Sequence, residues 1–260
     1  MALESILPVI GIDIGGTTIK GGLVDLGSGE LLGGQTIVPT PQSAPPEKVI
    51  DAVVSVVTGL SMAHPSAVIA EEVGITFPGI VYQGLVRSAA NLGEGWVHLD
   101  VEALMSARLG RRVVLLNDAD AAGLAEVRYG AGRGINGLVL VITLGTGIGS
   151  ALIADGKLIP NAELGHLEID GCRAETKASA RAREREELDW ETYAGRLQRY
   201  FSHIEYLFSP DLLIVGGGIS QRSGDVLPRL NLQSRIVAAE LRNSAGTVGA
   251  ALQAASSPPR

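Results

Sequence analysis

The sequence predicts an α/β protein made of two related halves, and three observations carry that prediction. The run PVIGIDI passes through Gly-Gly-Thr-Thr into a second apolar run, and about 130 residues later LVLVITL passes through Gly-Thr-Gly into IGSALIA. Segments with helical spacing separate these strand-like runs, as α/β folds require. Glycine turns at 15–16, 145–149 and 216–218 each follow an apolar strand, the edge where α/β folds bind ligands. A chain of 260 residues has room for two domains, and 46% hydrophobic against 19% charged residues describes a globular protein.

PVIGIDI reads as a buried strand, GGTTIKGG as a turn and IKGGLVDL as the return strand of a hairpin; GSGELLGGQTIVPT suits a further turn and strand. PTPQSAPP is a loop whose last proline suits the start of a helix from Glu47 to about Ser61. AVIAEEVGITFPGIV gives a strand ending in a turn at Phe77-Pro78-Gly79, and Asp100 is placed to N-cap a helix through Leu109. RRVVLLND is a second strand ending on acid, Asn117-Asp118, before a helix from about Ala119 to Tyr129. NGLVLVITLGTGIGSALIADGKL is strand, turn, strand. Leu188, Tyr193, Leu197, Phe201, Ile204 and Leu207 lie near helical spacing, so 184–208 is one long helix or two. DLLIVGGGIS is a strand entering three glycines, AGTVGAALQAA a small-residue closing helix and SSPPR a frayed tail. The domains expected are a small first one over 1–116, with the closing helix over 245–257 packing back on it, and a larger second one over 117–244.

A net charge of −7 argues against a generally basic surface for nucleic acid or membranes, though not against a local basic groove. One cysteine, Cys172, rules out an intrachain disulfide, and no leader-like segment precedes the first strand, so the cytoplasm is the expected compartment. The uncharged stretch 134–154 has the length of a membrane span, but glycines at 137, 145, 147 and 149 among β-branched residues make it strand, turn, strand.

Glycine turns let backbone N–H groups approach an anion, and threonine hydroxyls add donors, so the turns read as phosphate sites. The Walker and dinucleotide glycine motifs are absent, which leaves the hairpin turns as the cradles. A carboxylate beside phosphate needs a cation, so Asp13 reads as an indirect Mg²⁺ holder or a lysine partner, the alternative being an Asx turn cap. Asp118 reads either as the N-cap of its helix or as a general base for a substrate hydroxyl, with Asn117 orienting that hydroxyl or the sugar. Glu163 and His166, three residues apart, suit the vicinal hydroxyls of a sugar, the alternative being a catalytic or metal role.

Six motifs in order resemble the ROK family of sugar kinases over nearly the whole chain: Asp13-Ile14-Gly15-Gly16-Thr17-Thr18-Ile19-Lys20, Phe77-Pro78-Gly79, Asn117-Asp118-Ala119-Asp120, Gly145-Thr146-Gly147-Ile148-Gly149, Glu163-Leu164-Gly165-His166 and Gly216-Gly217-Gly218-Ile219. The resemblance implies two actin-like (ribonuclease H-like) α/β domains with an active-site cleft between them. It implies Asp118 as catalytic base, and Asn91, Asn117, Asp118, Glu163, His166 and Glu175 around the sugar, with Pro78 and Gly79 shaping the wall. Gly15, Gly16, Thr17, Thr18, Lys20, Gly145, Thr146, Gly147, Gly217 and Gly218 would surround the phosphates, with Asp13 holding Mg²⁺ indirectly.

Most of the family carries a Cys-x-Cys-x4-Cys zinc cluster after its Glu-x-Gly-His; here only Cys172 is present, and no zinc is expected. That departure, with NLGEGW and ASARARE, resembles the polyphosphate-using glucokinases of the family, some of which also take ATP or mannose. The expected reaction is transfer from polyphosphate or ATP to the 6-hydroxyl of glucose, by a monomer or homodimer, with no nucleic acid or membrane partner. Polyphosphate asks for a row of cations, for which Lys20, Arg87, Arg128, Arg133, Lys157 and Lys177 are candidates. Arg181, Arg183 and Arg185, interleaved with Glu184, Glu186 and Glu187, read as a self-paired helix face. The alternatives are an ATP-only kinase for another hexose and a sugar-responsive regulator; the latter needs a helix-turn-helix, yet the first turn begins only about a dozen residues in.

Overall fold

The computed structural model describes residues 7–42, 45–89 and 92–258. It divides into two compact units, Met1–Ala125 with Ser244–Arg260, and Glu126–Asn243.

In the first unit, β1 (Val9–Ile14), β2 (Thr18–Asp25) and β3 (Glu30–Pro39) form an antiparallel meander. Helix α1 (Pro46–Ala63) then leads to β4 (Val73–Phe77), which is parallel to β1. A short hairpin, β5 (Val81–Tyr82) and β6 (Leu85–Val86), precedes α2 (Val101–Leu109) and β7 (Val113–Asn117), which is parallel to β4; α3 (Asp118–Tyr129) follows at once. The sheet order is β3-β2-β1-β4-β7. Helix α1 buries Val49, Ile50, Val53, Val56, Val57 and Leu60, a stripe at three- and four-residue spacing that faces the sheet. Each such side chain contributes about 1.5–3 kcal/mol before ordering entropy is counted. The expected cap of α2 is present: the Asp100 carboxylate accepts from Ala103 N at 2.9 Å, and Gly110 ends the helix at φ 62°.

The second unit repeats that topology. β8 (Leu138–Leu144), β9 (Ile148–Ala154) and β10 (Lys157–Ile159) form the meander. Next come a short hairpin, β11 (Glu168–Ile169) and β12 (Cys172–Arg173), and the helices α4 (Glu175–Ala178), α5 (Ala180–Arg185) and α6 (Trp190–Phe208). β13 (Leu212–Gly217) runs parallel to β8; α7 (Ser223–Val226) and β14 (Arg235–Ala238), parallel to β13, complete the order β10-β9-β8-β13-β14. The repeat seen as two glycine turns is therefore a repeat of whole sheets. Residues 184–208 form two helices: Glu187, at φ 50°, breaks the chain, and Asp189 caps α6 by accepting from Thr192 N at 2.7 Å. No helix among the described residues is long and apolar enough to cross a membrane.

The chain returns to the first unit as α8 (Ala245–Ser256), which lies on β1 and β4. Small residues permit backbone contact there. A Cβ at Gly74 would lie 1.9 Å from the Ala250 carbonyl oxygen, one at Gly11 2.0 Å from that of Thr247, and one at Gly249 1.8 Å from that of Ala121. The last contact explains why the boundary falls inside α3, after Ala125, and not at 116/117: Leu116 at the end of β7 and Ala121 in the start of α3 cluster with Ala250 of α8. The N-terminal unit is accordingly the larger of the two, where the smaller was expected.

These contacts predict opposite signs for two glycine substitutions. Gly74→Ala forces backbone apart and should lower the unfolding free energy in urea by about 3 kcal/mol. Gly59→Ala, at an open mid-helix position of α1, should raise it by up to about 1 kcal/mol. Equal effects would contradict the packing described.

Candidate active site

In the first unit the polar groups gather at the carboxyl ends of β1, β4 and β7, three adjacent parallel strands. Asp13 near the end of β1 accepts from the Thr76 hydroxyl at 2.8 Å through Oδ1, and the Thr76 oxygen accepts from Ile14 N at 3.2 Å. Its Oδ2 lies 3.6 Å from Lys20 Nζ, the residue opposite in the β1–β2 ladder. Gly246, in the first turn of α8, is so close that a Cβ there would meet the Asp13 carboxyl carbon at 2.8 Å. A lysine and the positive end of a helix thus balance this acid. The turn beside it closes through the backbone, Gly15 N to Thr18 O at 2.9 Å.

The end of β7 departs from the simplest expectation for Asp118. The N-cap of α3 is Asn117, whose Oδ1 accepts from Ala119 N at 2.8 Å and Asp120 N at 3.0 Å. Two amide donors fix the orientation of the side chain, and its Nδ2 donates to Gly79 O at 3.1 Å. Asp118 shares the Ala119 N–H, at 2.9 Å, and is half-buried at the first residue of α3. The Pro78-Gly79 turn is held from its other side as well. Gly79 N donates to Phe77 O at 2.9 Å, Ile80 N donates to the Ser88 hydroxyl at 2.9 Å, and a Cβ at Gly79 would lie 2.0 Å from Ser88 O. Asn91 lies outside the described residues.

In the second unit two glycine turns lie side by side at the ends of β8 and β13. Gly217, at φ 74°, pairs with Leu144 so closely that a Cβ would sit 2.4 Å from the Leu144 carbonyl oxygen. Gly145 O accepts from Arg181 N at 3.1 Å, in the first turn of α5, and Glu175 Oε2 accepts from Ile148 N at 3.4 Å. Gly218 opens the 3-10 turn that follows.

The segment bearing Glu163 and His166 is pinned to β9. The Ser150 hydroxyl donates to Ala162 O and accepts from Leu164 N at 2.9 Å, and Gly165 packs on the Ile148 carbonyl. His166 Nε2 is 3.5 Å from Glu175 Oε1. Burial pushes the Glu163 carboxyl up from its ordinary value, the Glu175 charge adds to the rise, and His166 opposes it. Two carboxylates and an imidazole therefore act on one another, an arrangement with several acceptors for hydroxyl groups.

Among the cations proposed as a row, Lys177 is held by Glu186 at 3.6 Å and Lys20 faces Asp13, while Arg87 and Arg128 lie over the rings of Tyr82 and Tyr129. Arg185 pairs with Glu186 at 2.9 Å, but Arg183 stacks on Trp190 at 3.7 Å from the ring centroid, so the α5 face is self-paired only in part. Hydrogen bonds from Arg196 and Arg185 hold the Glu186 carboxyl at about 2. Thr76, Ser88, Ser150, Thr40 and Gln42 are supports that sequence reasoning did not single out. Ser88 bonds across 8 residues, Ser150 across 12 and 14, Thr40 and Gln42 across 25 and 26, and Thr76 across 62 and 63, and a lone Ser, Thr or Gln carries no motif.

A meander followed by two parallel strands, repeated in both units with a glycine turn in each first hairpin, is the architecture of the actin-like sugar kinases. The chain belongs to the ROK family, whose profile matches residues 9–181. It is 46% identical to the polyphosphate glucokinase of Mycobacterium leprae (strain TN), over 93% of this chain and 73% of that one. The structure of the inorganic polyphosphate/ATP-glucomannokinase from Arthrobacter sp. strain KM matches with TM-score 0.91 at 64% identity, covering 96% of this chain and 99% of that one. A ROK family glucokinase from Streptomyces griseus, in complex with glucose and AMPPNP, matches with TM-score 0.81 at 28% identity, covering 95% and 99%.

The raised pKa of Glu163 gives a signed stability prediction. Its contribution is fully present below the ordinary carboxyl value of 4.5 and is lost as pH rises through the higher folded value. Glu163→Gln should therefore melt higher than the wild type at pH 7 and level with it at pH 4. A gain larger at pH 4 would contradict the burial described.

Proposed function

We propose that this chain transfers a phosphoryl group from inorganic polyphosphate or ATP to the 6-hydroxyl of glucose, with mannose as a second acceptor. The observation that carries this reading is the Asn-capped aspartate at the end of β7, in a chain that matches polyphosphate- and ATP-using relatives over nearly its whole length. Phosphoryl transfer passes through a loose transition state, so the protein's work is positioning and charge neutralisation more than covalent chemistry. In this reading Asp118 accepts the proton of the 6-hydroxyl as its oxygen bonds to the terminal phosphorus and the terminal phosphoanhydride bond breaks, releasing polyphosphate shorter by one phosphate, or ADP; the base contributes about 10²- to 10⁴-fold. Asn117, already committed to Gly79, Ala119 and Asp120, has one amide hydrogen to offer the sugar. Glu163, His166 and Glu175 offer acceptors to the remaining hydroxyls, and Pro78-Gly79 forms apolar wall.

The turn at Gly15, Gly16, Thr17 and Thr18, closed by its own Gly15 N–H, offers the N–H groups of Gly16, Thr17 and Thr18 to the donor phosphates; the turn at Gly145, Thr146 and Gly147, closed by Gly145 N–H to Gly147 O at 3.0 Å, and the turn at Gly217 and Gly218 face them as well, with Lys20 as a further cation. The donor calls for a divalent cation, for which we propose Mg²⁺. Both carboxylate oxygens of Asp13 already have partners, Thr76 and Lys20, which fits an ion held through its water shell and the donor's oxygens. When bound, that ion neutralises donor charge. A chain with a single cysteine suits the reducing cytoplasm, where we place the enzyme.

The test is an assay of purified protein with Mg²⁺, glucose or mannose, and polyphosphate or ATP, with sugar 6-phosphate measured. Product in the glucose reactions with both donors is expected. Product from ATP alone would remove polyphosphate from the assignment, and none in any combination would remove the kinase. Asp118→Asn should lower kcat by about 10²- to 10⁴-fold while glucose binding by calorimetry stays within about threefold. Wild-type turnover in that variant would take Asp118 out of the mechanism.

A further inference from the structure

The turn after β1 is built with all three of its central carbonyls drawn to one side. The Thr40 hydroxyl, on a residue only 2% exposed, donates to Gly15 O at 2.7 Å. Gln42 Nε2 donates to Gly16 O at 2.7 Å and also to Thr40 O at 3.0 Å. Thr40 N donates to Thr17 O at 2.9 Å. In a planar trans peptide the N–H points opposite to the C=O of the same unit. Taking up the carbonyls of Gly15, Gly16 and Thr17 therefore turns the N–H groups of Gly16, Thr17 and Thr18 to the other face of the turn. Glycine peptides rotate readily, so without these anchors the turn would sample orientations in which a carbonyl oxygen replaces an N–H on that face.

We propose that Thr40 and Gln42 are positioning residues of the phosphoryl-donor site: they hold the glycine turn in the one orientation that presents its amides to an anion. The inference rests on the kinase reading above and deepens its donor site. A preset array of N–H dipoles needs no reorganisation when charge arrives. Because the anchors act on backbone that meets phosphate, and on nothing that meets sugar, their loss should fall on the donor alone. Polyphosphate and ATP should suffer alike, since the turn sees phosphate in both.

The test uses the full chain with Thr40→Val, which keeps the shape and removes the hydroxyl, Thr40→Ser, which restores it, and Gln42→Met at an exposed position. Steady-state rates with ATP and with polyphosphate, calorimetric titrations of glucose and of tripolyphosphate, and melting temperatures are compared with the wild type. Thr40→Val is expected to lower kcat/KM for either donor by about tenfold and to weaken tripolyphosphate comparably, with glucose affinity within twofold. Thr40→Ser should recover to within about threefold of the wild type, and Gln42→Met should show the same pattern at about three- to fivefold. A general packing defect would instead lower the melting temperature and the active fraction without separating donor from sugar. Donor parameters within twofold of the wild type in both folded variants, an equal loss of glucose affinity, or a Thr40→Ser as impaired as Thr40→Val would each overturn the inference. If Thr40→Val does not fold, Gln42→Met decides alone. Inactivity of the wild type with every donor and sugar would strike the kinase reading instead, and the tripolyphosphate titrations would still decide the role of the two anchors.

Discussion

The amide of Asn117 joins three elements at one point. It accepts from the first two N–H groups after Asp118 and donates to the carbonyl of the Pro78-Gly79 turn, so the end of β7, the start of α3 and the turn after β4 share one side chain that is 7% exposed. Breaking such a buried arrangement strands backbone groups at about 1–3 kcal/mol each. Its consequence for chemistry is a division of labour. An asparagine does the capping that an aspartate at that strand end would otherwise do, and the neighbouring acid, a half-buried residue, is placed at the positive end of α3.

The same economy of adjacent elements governs Asp13. Gly11 and Gly74 let α8 rest its backbone on β1 and β4, and that contact brings Gly246 against the Asp13 carboxylate. A strand can thus deliver an acid to a glycine turn without leaving it uncompensated, since Lys20, Thr76 and the first turn of α8 surround it. The second unit repeats the sheet but loads its strand ends differently, with two glycine turns side by side and a Glu163, His166, Glu175 group held by Ser150 and α4. One topology is used twice, with the Asn117-Asp118 pair on one copy and the imidazole group on the other.

Most of the architecture was legible in the sequence, because the signals were local. The hairpins show as β-branched runs around Gly and Thr, the Phe77-Pro78-Gly79 turn by its own residues, and α6 by its apolar period. What was not legible depended on contacts distant in sequence or on rival local choices. Asn117 and Asp118 are both good N-caps; the fold gives the role to Asn117, whose amide is also tied to Gly79, 38 residues earlier. The division inside α3 follows from Ala121 meeting Gly249, which no local pattern announces. The break between α5 and α6 rests on a glutamate at positive φ, where glycine would have advertised it. Thr76 bonds to Ile14 across 62 residues and Thr40 to Gly15 across 25, as ordinary threonines outside any motif. The cations proposed as a row include Lys177, whose partner Glu186 also draws Arg185 and Arg196, a convergence visible only in the fold.

In the proposed mechanism Asn117 acts through Asp118, and a double-mutant cycle measures that coupling directly. Turnover at saturating glucose and donor is compared for the wild type, Asn117→Ala, Asp118→Asn and the double variant. If Asn117 serves to place the base, its loss lowers kcat by about tenfold when Asp118 is present and by less than twofold when Asp118 is already Asn. The same factor in both backgrounds, or no loss in Asn117→Ala, would contradict the coupling and return Asn117 to a purely structural cap.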